Sequence, residues 1–409
     1  MKPFLHLKSV DEVMAIIYTL KPLSGESVDL AEAGGRYLCG NFHAPADLPG
    51  FVRSSMDGYA VATRDVFGAS ESMPAFLQVA GDCPVGRMPD FRLESGEAAT
   101  IVTGAPLPPG ADAVVMVEDS REAAKDQIEI IRPVAPGANT VDADEDAKQG
   151  QILISFGSLL RPQDIGILAA YGIQRVNVYK RPEVAIISTG DEIVSIDTMP
   201  GPCKLRDVNS WSLASLCSLH NGLPLRMGIV SDDPGSLQEK LLQCLELADV
   251  VLVSGGSSAG MRDHTVDAFL SLPDASLLVH GVAMRPGKPF ILAKSGAKLL
   301  LGLPGHVTSA LICAHVFLIP ILGRLQGQTE IAPKPWIDAR LSRSVASAQG
   351  RRDYIRCHLE QEEGEFVAQP LRSPSAVLGS LLAAEGLVIC PENLEGLSKN
   401  QQVKFYPFS

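Results

Sequence analysis

The sequence predicts a multidomain α/β and β protein. A central parallel α/β domain is preceded by an elongated helical and β part that carries a small all-β unit, and followed by a β-barrel-like C-terminal domain. Three observations carry this reading. From Arg181, strand-type and helix-type segments alternate strictly, the pattern of βαβ units. Between Leu48 and Val134, short β-type runs ("GYAVA", "AATIVTG", "AVVMVED", "QIEIIRPV") are punctuated by Pro/Gly turns such as "PLPPGA". Beyond Trp336 the texture returns to β, as in "DYIRCHLE", where Ile355, Cys357 and Leu359 alternate with Arg356, His358 and Glu360. The expected parts are 1–46 with 136–180, 47–135, 181–328 and 329–409.

The individual elements follow in chain order. "SVDEVMAIIYTL" is a helix opened by a Ser9/Glu12 capping box, with Val10, Val13, Met14 and Ile17 on one face. "RPQDIGILAAYGI" is a helix stopped by Gly172. "EVAIIST" is a strand, and "NSWSLASLCSLHNG" a helix capped by Asn209 or Ser210 and ended by Gly222. "LRMGIVSD" is a strand, and "DPGSLQEKLLQCLELA" a helix with Asp233 as N-cap and Pro234 in its first turn. "DVVLVSGG" is a strand, "DHTVDAFL" begins a helix, and "PFILAK" with "KLLLGLPG" forms a strand pair. A long apolar helix follows. Its most apolar run, Val307 to Leu322, is interrupted by Ser, His and Pro and falls short of the ~20 residues that span a bilayer.

Composition limits the function classes. Of 409 residues 46% are apolar, enough for a sizeable core, and the net charge is −12. Nucleic acid and anionic membranes need a basic footprint, which these totals do not offer. The eight cysteines include no C-x-x-C pair, so buried thiols in a reducing compartment are expected rather than zinc or disulfides. "MKPFLHLKSV" lacks a signal-peptide pattern, and a cytoplasmic location is expected.

In an open parallel sheet, ligands sit beyond the carboxyl ends of the strands. Here those ends read "STGDE", "SDDP", "SGGSSAG" and "GLPGH", four loops that should open on one side. Glycines at 255 and 256 let backbone approach a ligand, N–H groups at a helix start attract anions, and Ser254, Ser257 and Ser258 add hydroxyl donors. A plain tight turn accounts for "SGGSS" equally well when that loop is read alone. Asp191, Glu192, Asp232, Asp233 and Asp263 crowd the same edge and would repel a phosphate, unless a divalent cation such as magnesium lies between them. Arg285 and Lys288 flank a rigid Pro-Gly turn and suit an anion clamp, though two surface cations fit the pattern as well.

Joined in order, "LPGFVRSSMDGYAV", "TGAPLPPGADAVVMVED", "STGDEIV", "RDVNS", "SDDPGSL", "SGGSSAGMRDHT", "RPGKPF" and "GLPGHVTSA" resemble the molybdopterin molybdenumtransferase family, which includes MoeA and the E domain of gephyrin. The resemblance spans nearly the whole chain. It implies a central MogA/MoaB-like domain and a homodimer, with the site between that domain of one subunit and the "MDGYA" unit of the other. It implies insertion of molybdate into adenylylated molybdopterin with release of AMP, dependent on Mg2+. The site residues it implies are Asp57, Thr103, Asp146, Glu192, Asp207, Asp263, Arg285, Lys288, Pro304 and Gly305. Asp57, Glu192, Asp263 and Lys288 would be catalytic. Asp146, Glu192, Asp207 and Asp263 would face the metal. Thr103, Ser254, Gly255, Gly256, Ser257, Arg285, Pro304 and Gly305 would hold the substrate. The chain departs from the family in three places: Val141-Asp142-Ala143 replace basic residues, His306-Val307 replace Asn-Pro, and Arg285 stands where Lys is common. These leave three rivals to the main expectation: tungstate as the inserted oxyanion, a non-catalytic pterin-binding scaffold, and a pterin nucleotidyltransferase.

Overall fold

Apolar β-formers that alternate with amphipathic helices must bury both faces of a sheet, and the computed structural model shows them doing so. It describes residues 7–255, 261–329, 335–371 and 377–408, with the side chains of 261–263 excepted. Contacts divide the chain into two units, Met1–Gly40 with Phe156–Ala169 and Ile173–Ser409, and Asn41–Ser155 with Ala170–Gly172.

The first unit opens with helix α1 (Val10–Tyr18). Its capping box is formed as the sequence predicts, with the Ser9 side chain accepting from Glu12 N and the Glu12 carboxylate accepting from Ser9 N. Val10, Val13 and Ile17 are buried, while Met14 packs partly buried beside them.

In the second unit six strands form one mixed sheet: β1 (Gly58–Val61), β2 (Ala75–Cys83), β3 (Glu97–Ile101), β4 (Ala113–Met116), β5 (Ser120–Ala124) and β6 (Gln127–Ile130), in the order β4-β1-β3-β2-β6-β5. Successive side chains of a strand point to opposite faces. Ala60, Ala99 and Val114 accordingly enter one core and Val61, Ala98 and Val115 another, so both faces are covered.

The α/β part belongs to the first unit. Its elements are β7 (Glu183–Thr189), α2 (Asn209–Leu219), β8 (Leu223–Val230), α3 (Pro234–Leu247), β9 (Val250–Ser254), α4 (Met261–Leu270), β10 (Ala275–His280), β11 (Ile291–Ser295), β12 (Lys298–Leu303) and the continuous helix α5 (Val307–Leu325). The sheet order is β8-β7-β9-β12-β11-β10. Val184, Ile186, Val250, Leu252, Leu299 and Leu301 face one core with α1, α2 and α5, whereas Ala185, Ile187, Val251, Val253 and Leu300 face the other with α3 and α4. The sheet is parallel only over β8, β7, β9 and β12; β11 runs antiparallel to both β12 and β10, and β10 was not foreseen. The caps of α2 also differ from expectation. Asp207 Oδ1, not Asn209 or Ser210, accepts from Ser210 N at 3.1 Å, and Asn221 rather than Gly222 takes the left-handed position beyond the helix, at φ 60°. Asp233 caps α3 as predicted, accepting from Ser236 N at 2.8 Å.

Helix α5 is longer than the sequence reading allowed. By length and composition it could cross a membrane, but 67% of it is buried, and it contributes Ala310, Ile312, Phe317 and Ile321 to the core. A π-helical stretch, Ala314–Leu318, lies within it and accommodates the run before Pro320.

The C-terminal strands β13 (Ile337–Leu341), β14 (Arg352–Glu362), β15 (Glu365–Pro370), β16 (Gly386–Cys390) and β17 (Gln402–Pro407), with the short helix α6 (Gly379–Leu382), form the expected barrel. Pairing runs β14-β15-β13-β17-β16 and returns from β16 to β14, which closes the sheet around Leu341, Cys357, Ala368, Val388 and Phe405.

Candidate functional site

The four parallel strands end level. Thr189 is in register with Val230, Ser188 with Ser254, and Ser254 with Leu303, so the loops after them open on one edge as the sequence predicts. Those after β7, β9 and β12 border a cavity of about 630 Å³ lined by Ser188, Thr189, Glu192, Asp207, Asn209, Ser254, Gly255, Gly305 and His306, whereas Ser231–Pro234 after β8 border a separate small pocket. Gly255 has φ +141°, and a Cβ there would lie 2.2 Å from Thr189 Oγ1 and 2.3 Å from its carbonyl oxygen. The glycine is therefore set by the close approach of β7 and β9, and its N–H donates to the Leu303 carbonyl at 3.4 Å. Gly256 and Ser257 lie outside the described residues, as does the side chain of Asp263; the Asp263 backbone is in the first turn of α4. Pro304 belongs to the same loop as Gly305, but Gly305 is the one that lines the cavity.

Asn209 was missed as a site residue. Its Nδ2 donates to Ser254 Oγ at 2.7 Å and to the Gly305 carbonyl at 2.8 Å, tying three strand-end segments together. Asp207 is buried, and its Oδ1 accepts from Ser188 Oγ at 2.8 Å as well as from Ser210 N. The expected crowd of acids resolves into two groups. Asp191 and Asp232 each accept from the other's backbone N–H, at 3.3 and 3.4 Å, and Asp233 serves as the α3 cap, its carboxyl held below the usual range by the Ser236 N–H and hydroxyl. Glu192 and Asp207 remain on the cavity, balanced by Lys204 and Arg206, which also line it. Lys204 Nζ donates to the Asp191 carbonyl and Arg206 Nε to the Ile196 carbonyl at 3.0 Å. The cations of "CKLRD" stand two apart, the spacing that turns side chains to one face of a strand, and this signal could have found them. Among the described residues no three His, Cys, Asp or Glu side chains group as a metal site. Two carboxylates with space for phosphate oxygens still suit magnesium, which takes one or two protein carboxylates and completes its shell with substrate and water.

Arg285 and Lys288 are not in that cavity. They line a second one, of about 710 Å³, with Arg351, Asp353 and Arg356 of the barrel. The strand Met284–Arg285 pairs with Arg352–Asp353 of β14, which brings the Pro-Gly turn against the barrel. Asp353 is buried, 2.9 Å from Arg351 Nε and 3.9 Å from Arg285 Nη1. Among the described residues none lines both cavities; at the start of α5, His306 and Val307 line the first and Ser309 the second.

In the second unit Asp57 directly precedes β1 and Thr103 follows β3. Asp57 Oδ1 accepts from Thr103 N at 2.7 Å and from Thr103 Oγ1 at 2.8 Å. These bonds, the backbone one first, hold the exposed carboxyl below the usual carboxylate range. Asp146 is exposed, its N–H bonded to the Leu48 carbonyl at 3.1 Å.

A Gly- and Ser-bordered cavity at the strand ends and a cation-lined one nearby make an α/β protein whose sites suit phosphate or oxyanion chemistry. Comparison with known proteins narrows the class. Residues 8–172 match the MoeA N-terminal region (domains I and II), 185–324 a probable molybdopterin binding domain, and 338–408 the MoeA C-terminal region (domain IV). The molybdopterin molybdenumtransferase of Nostoc sp. is 33% identical over 98% of this chain and 94% of its own. A putative molybdopterin biosynthesis protein of Methanocaldococcus jannaschii is 33% identical over 93% and 92%. The crystal structure of a molybdopterin biosynthesis MoeA protein from Pyrococcus horikoshii superposes with TM-score 0.83, at 33% identity, over 98% of this chain and 99% of that one. The chain belongs to the molybdopterin molybdenumtransferase (MoeA) family.

Proposed function

We propose that the protein is a cytoplasmic enzyme of molybdenum-cofactor biosynthesis that inserts molybdate into adenylylated molybdopterin and releases AMP. The observation that carries this reading is a pair of cavities, one at the strand ends and fit for a phosphoanhydride, the other lined by Arg285, Lys288, Arg351 and Arg356 and fit for a tetrahedral oxyanion. In the first, the Ser254 hydroxyl, which accepts from Asn209 Nδ2 and keeps its own hydrogen to donate, faces phosphate, and Asn209 fixes the loops around it. As the phosphoanhydride breaks, negative charge grows on the departing phosphate, and preorganised N–H and cationic groups stabilise it. Lys204 and Arg206 are placed for that task. In the second cavity Arg285, Lys288, Arg351 and Arg356 hold the oxyanion, the arginines through planar forks and Lys288 as a point charge. Glu192 and Asp207 would hold magnesium, with Asp263 and Asp146 as the further ligands the resemblance implies; when bound, the ion neutralises phosphate charge.

The reading includes a homodimer in which the Asp57–Thr103 element of one subunit serves the α/β domain of the other. It also includes the four-part division at 1–46 with 136–180, 47–135, 181–328 and 329–409. The experiment is to follow AMP from adenylylated molybdopterin with molybdate or tungstate, with and without magnesium. AMP release that needs both oxyanion and magnesium supports the reading. Full release in excess chelator refutes the metal dependence, and no release under any condition leaves the scaffold alternative. Sedimentation showing only monomer at micromolar concentration refutes the two-subunit site.

A further inference from the structure

We propose that Asp57 recognises the pterin ring of the substrate, its Oδ2 accepting hydrogen bonds from the amino and ring N–H groups of the pyrimidine edge. This contact rests on the proposed function, in which the Asp57–Thr103 element serves the site for adenylylated molybdopterin. The carboxylate is held through one oxygen. Oδ1 accepts from Thr103 N at 2.7 Å and from Thr103 Oγ1 at 2.8 Å, which uses both of its lone pairs. Oδ2 has no hydrogen-bond partner, and Asp57 forms no ion pair among the described residues. The backbone around it is fixed as well. Gly58 lies so close to β4 that a Cβ there would fall 1.9 Å from the Val115 carbonyl oxygen, and the Asp57 carbonyl accepts from Val117 N at 3.2 Å. Just upstream, the Ser54 hydroxyl accepts from Met56 N at 3.2 Å, and Gly104 N donates to the Ser54 carbonyl at 2.8 Å. Asp57 is thus a preset acceptor with one oxygen open.

Its charge decides what that oxygen can meet. The Thr103 bonds keep the carboxyl below the usual range, so it is ionised at neutral pH, and no cation takes part in that shift. An ionised carboxylate with no cation beside it repels phosphate and molybdate. It suits a neutral group rich in N–H donors, and the pyrimidine edge of a pterin carries two that point the same way and converge on one acceptor oxygen. The surroundings suit a flat, largely apolar ring. Met56 adjoins Asp57, Val102 adjoins Thr103, Val117 is bonded to the Asp57 carbonyl, and all three side chains are exposed. Apolar walls around a single placed polar group are the ordinary make-up of a site for such a ligand. The anionic parts of the substrates fall to other residues, Lys204 and Arg206 on one cavity and Arg285 and Lys288 on the other.

The test is a fluorescence titration of the full-length protein, in excess chelator, with hydroxymethylpterin and with hydroxymethyl-lumazine, in which an oxo group replaces the amino group. The thermal midpoint and AMP release from adenylylated molybdopterin are measured alongside. The wild type should bind the pterin on the order of a hundredfold more tightly than the lumazine, the scale of hydrogen bonds to a charged group. Asp57→Asn keeps an acceptor for Thr103 and turns an amide N–H group toward the ring edge. It should bind the pterin on the order of a hundredfold more weakly and discriminate between the analogues by no more than about threefold, with the midpoint unchanged. Asp57→Ala, which presents no acceptor at all, should lose the discrimination likewise. A wild type that binds the two analogues alike, or binds neither, overturns the contact, as does an Asp57→Asn protein that still prefers the pterin. A loss in Asp57→Asn that is seen only when magnesium replaces the chelator makes Asp57 a metal ligand and overturns it too. AMP release separates the contact from the proposed function. A wild type that releases AMP without preferring the pterin refutes the Asp57 contact alone, whereas one that prefers the pterin through Asp57 but releases no AMP refutes the enzymatic reading alone.

Discussion

Replacing Gly255 by alanine tests the crossing of β7 and β9 on which the strand-end cavity is built. The added Cβ would lie 2.2 Å from Thr189 Oγ1, 2.3 Å from Thr189 O and 3.0 Å from Thr189 C, on a backbone with φ +141°. A side chain could swing aside, but the carbonyl cannot, because Thr189 ends a strand paired with β8. A non-glycine residue at such a φ costs ~1–3 kcal/mol, and forcing one methyl into a packed site a further ~1–3 kcal/mol. The sum, ~4 kcal/mol, should lower the thermal midpoint of the α/β part on the order of 10 °C. Affinity for adenylylated molybdopterin should fall as well, since the adjoining Ser254 moves with residue 255 and the bond from its N–H to the Leu303 carbonyl is strained. Gly190→Ala is the comparison: its Cβ would meet the tip of the Glu192 side chain at 2.6 Å, which can rotate away, so the midpoint should fall less. Differential scanning calorimetry and substrate titration check both. A Gly255→Ala protein with a wild-type midpoint and wild-type affinity would refute the close-approach argument.

Other outcomes follow from single contacts. Asn209→Ala removes the donor to Ser254 Oγ and Gly305 O, and should cost ~1–3 kcal/mol by denaturant unfolding and weaken substrate binding; unchanged binding would separate the loops from the site. Asp207→Asn keeps an acceptor for Ser188 Oγ and Ser210 N, so the midpoint should hold while magnesium-dependent AMP release drops about a hundredfold. Thr103→Val removes one of two bonds to Asp57 and should raise that carboxyl's pKa toward the ordinary value, read by carboxyl NMR titration. Because the folded pKa is depressed, the stabilisation Asp57 gives is present above the unfolded pKa and lost as pH falls through the folded one; the variant should lose it at higher pH.

What was legible in the sequence was local. The Ser9/Glu12 box and the Asp233 cap are decided within one helical turn, and the four strand-end loops are decided by where β-type runs stop. Strand direction is not local: β11 and β12 look like any buried pair, and only the short Gly296 turn joining them makes them antiparallel, ending the parallel order. Spacing alone did not divide the acids that crowd this edge: Asp233 is the α3 cap that the sequence predicts, while the mutual latch of Asp191 with Asp232 depends on how the loops after β7 and β8 meet. Arg285 and Lys288 were correctly seen as a pair on a rigid turn. Their distance from the carboxylates was not visible, because it is set by pairing with Arg352–Asp353, far along the chain.

The central claim is that the two cavities divide the substrates between them. The measurement that bears on it most directly is the molybdate dependence of AMP release by Lys288→Ala, taken together with its affinity for adenylylated molybdopterin. The division predicts a half-saturating molybdate concentration raised on the order of tenfold or more, with pterin affinity unchanged, because Lys288 lines only the cation-bearing cavity. A variant that binds adenylylated molybdopterin weakly and needs no more molybdate than the wild type would contradict it.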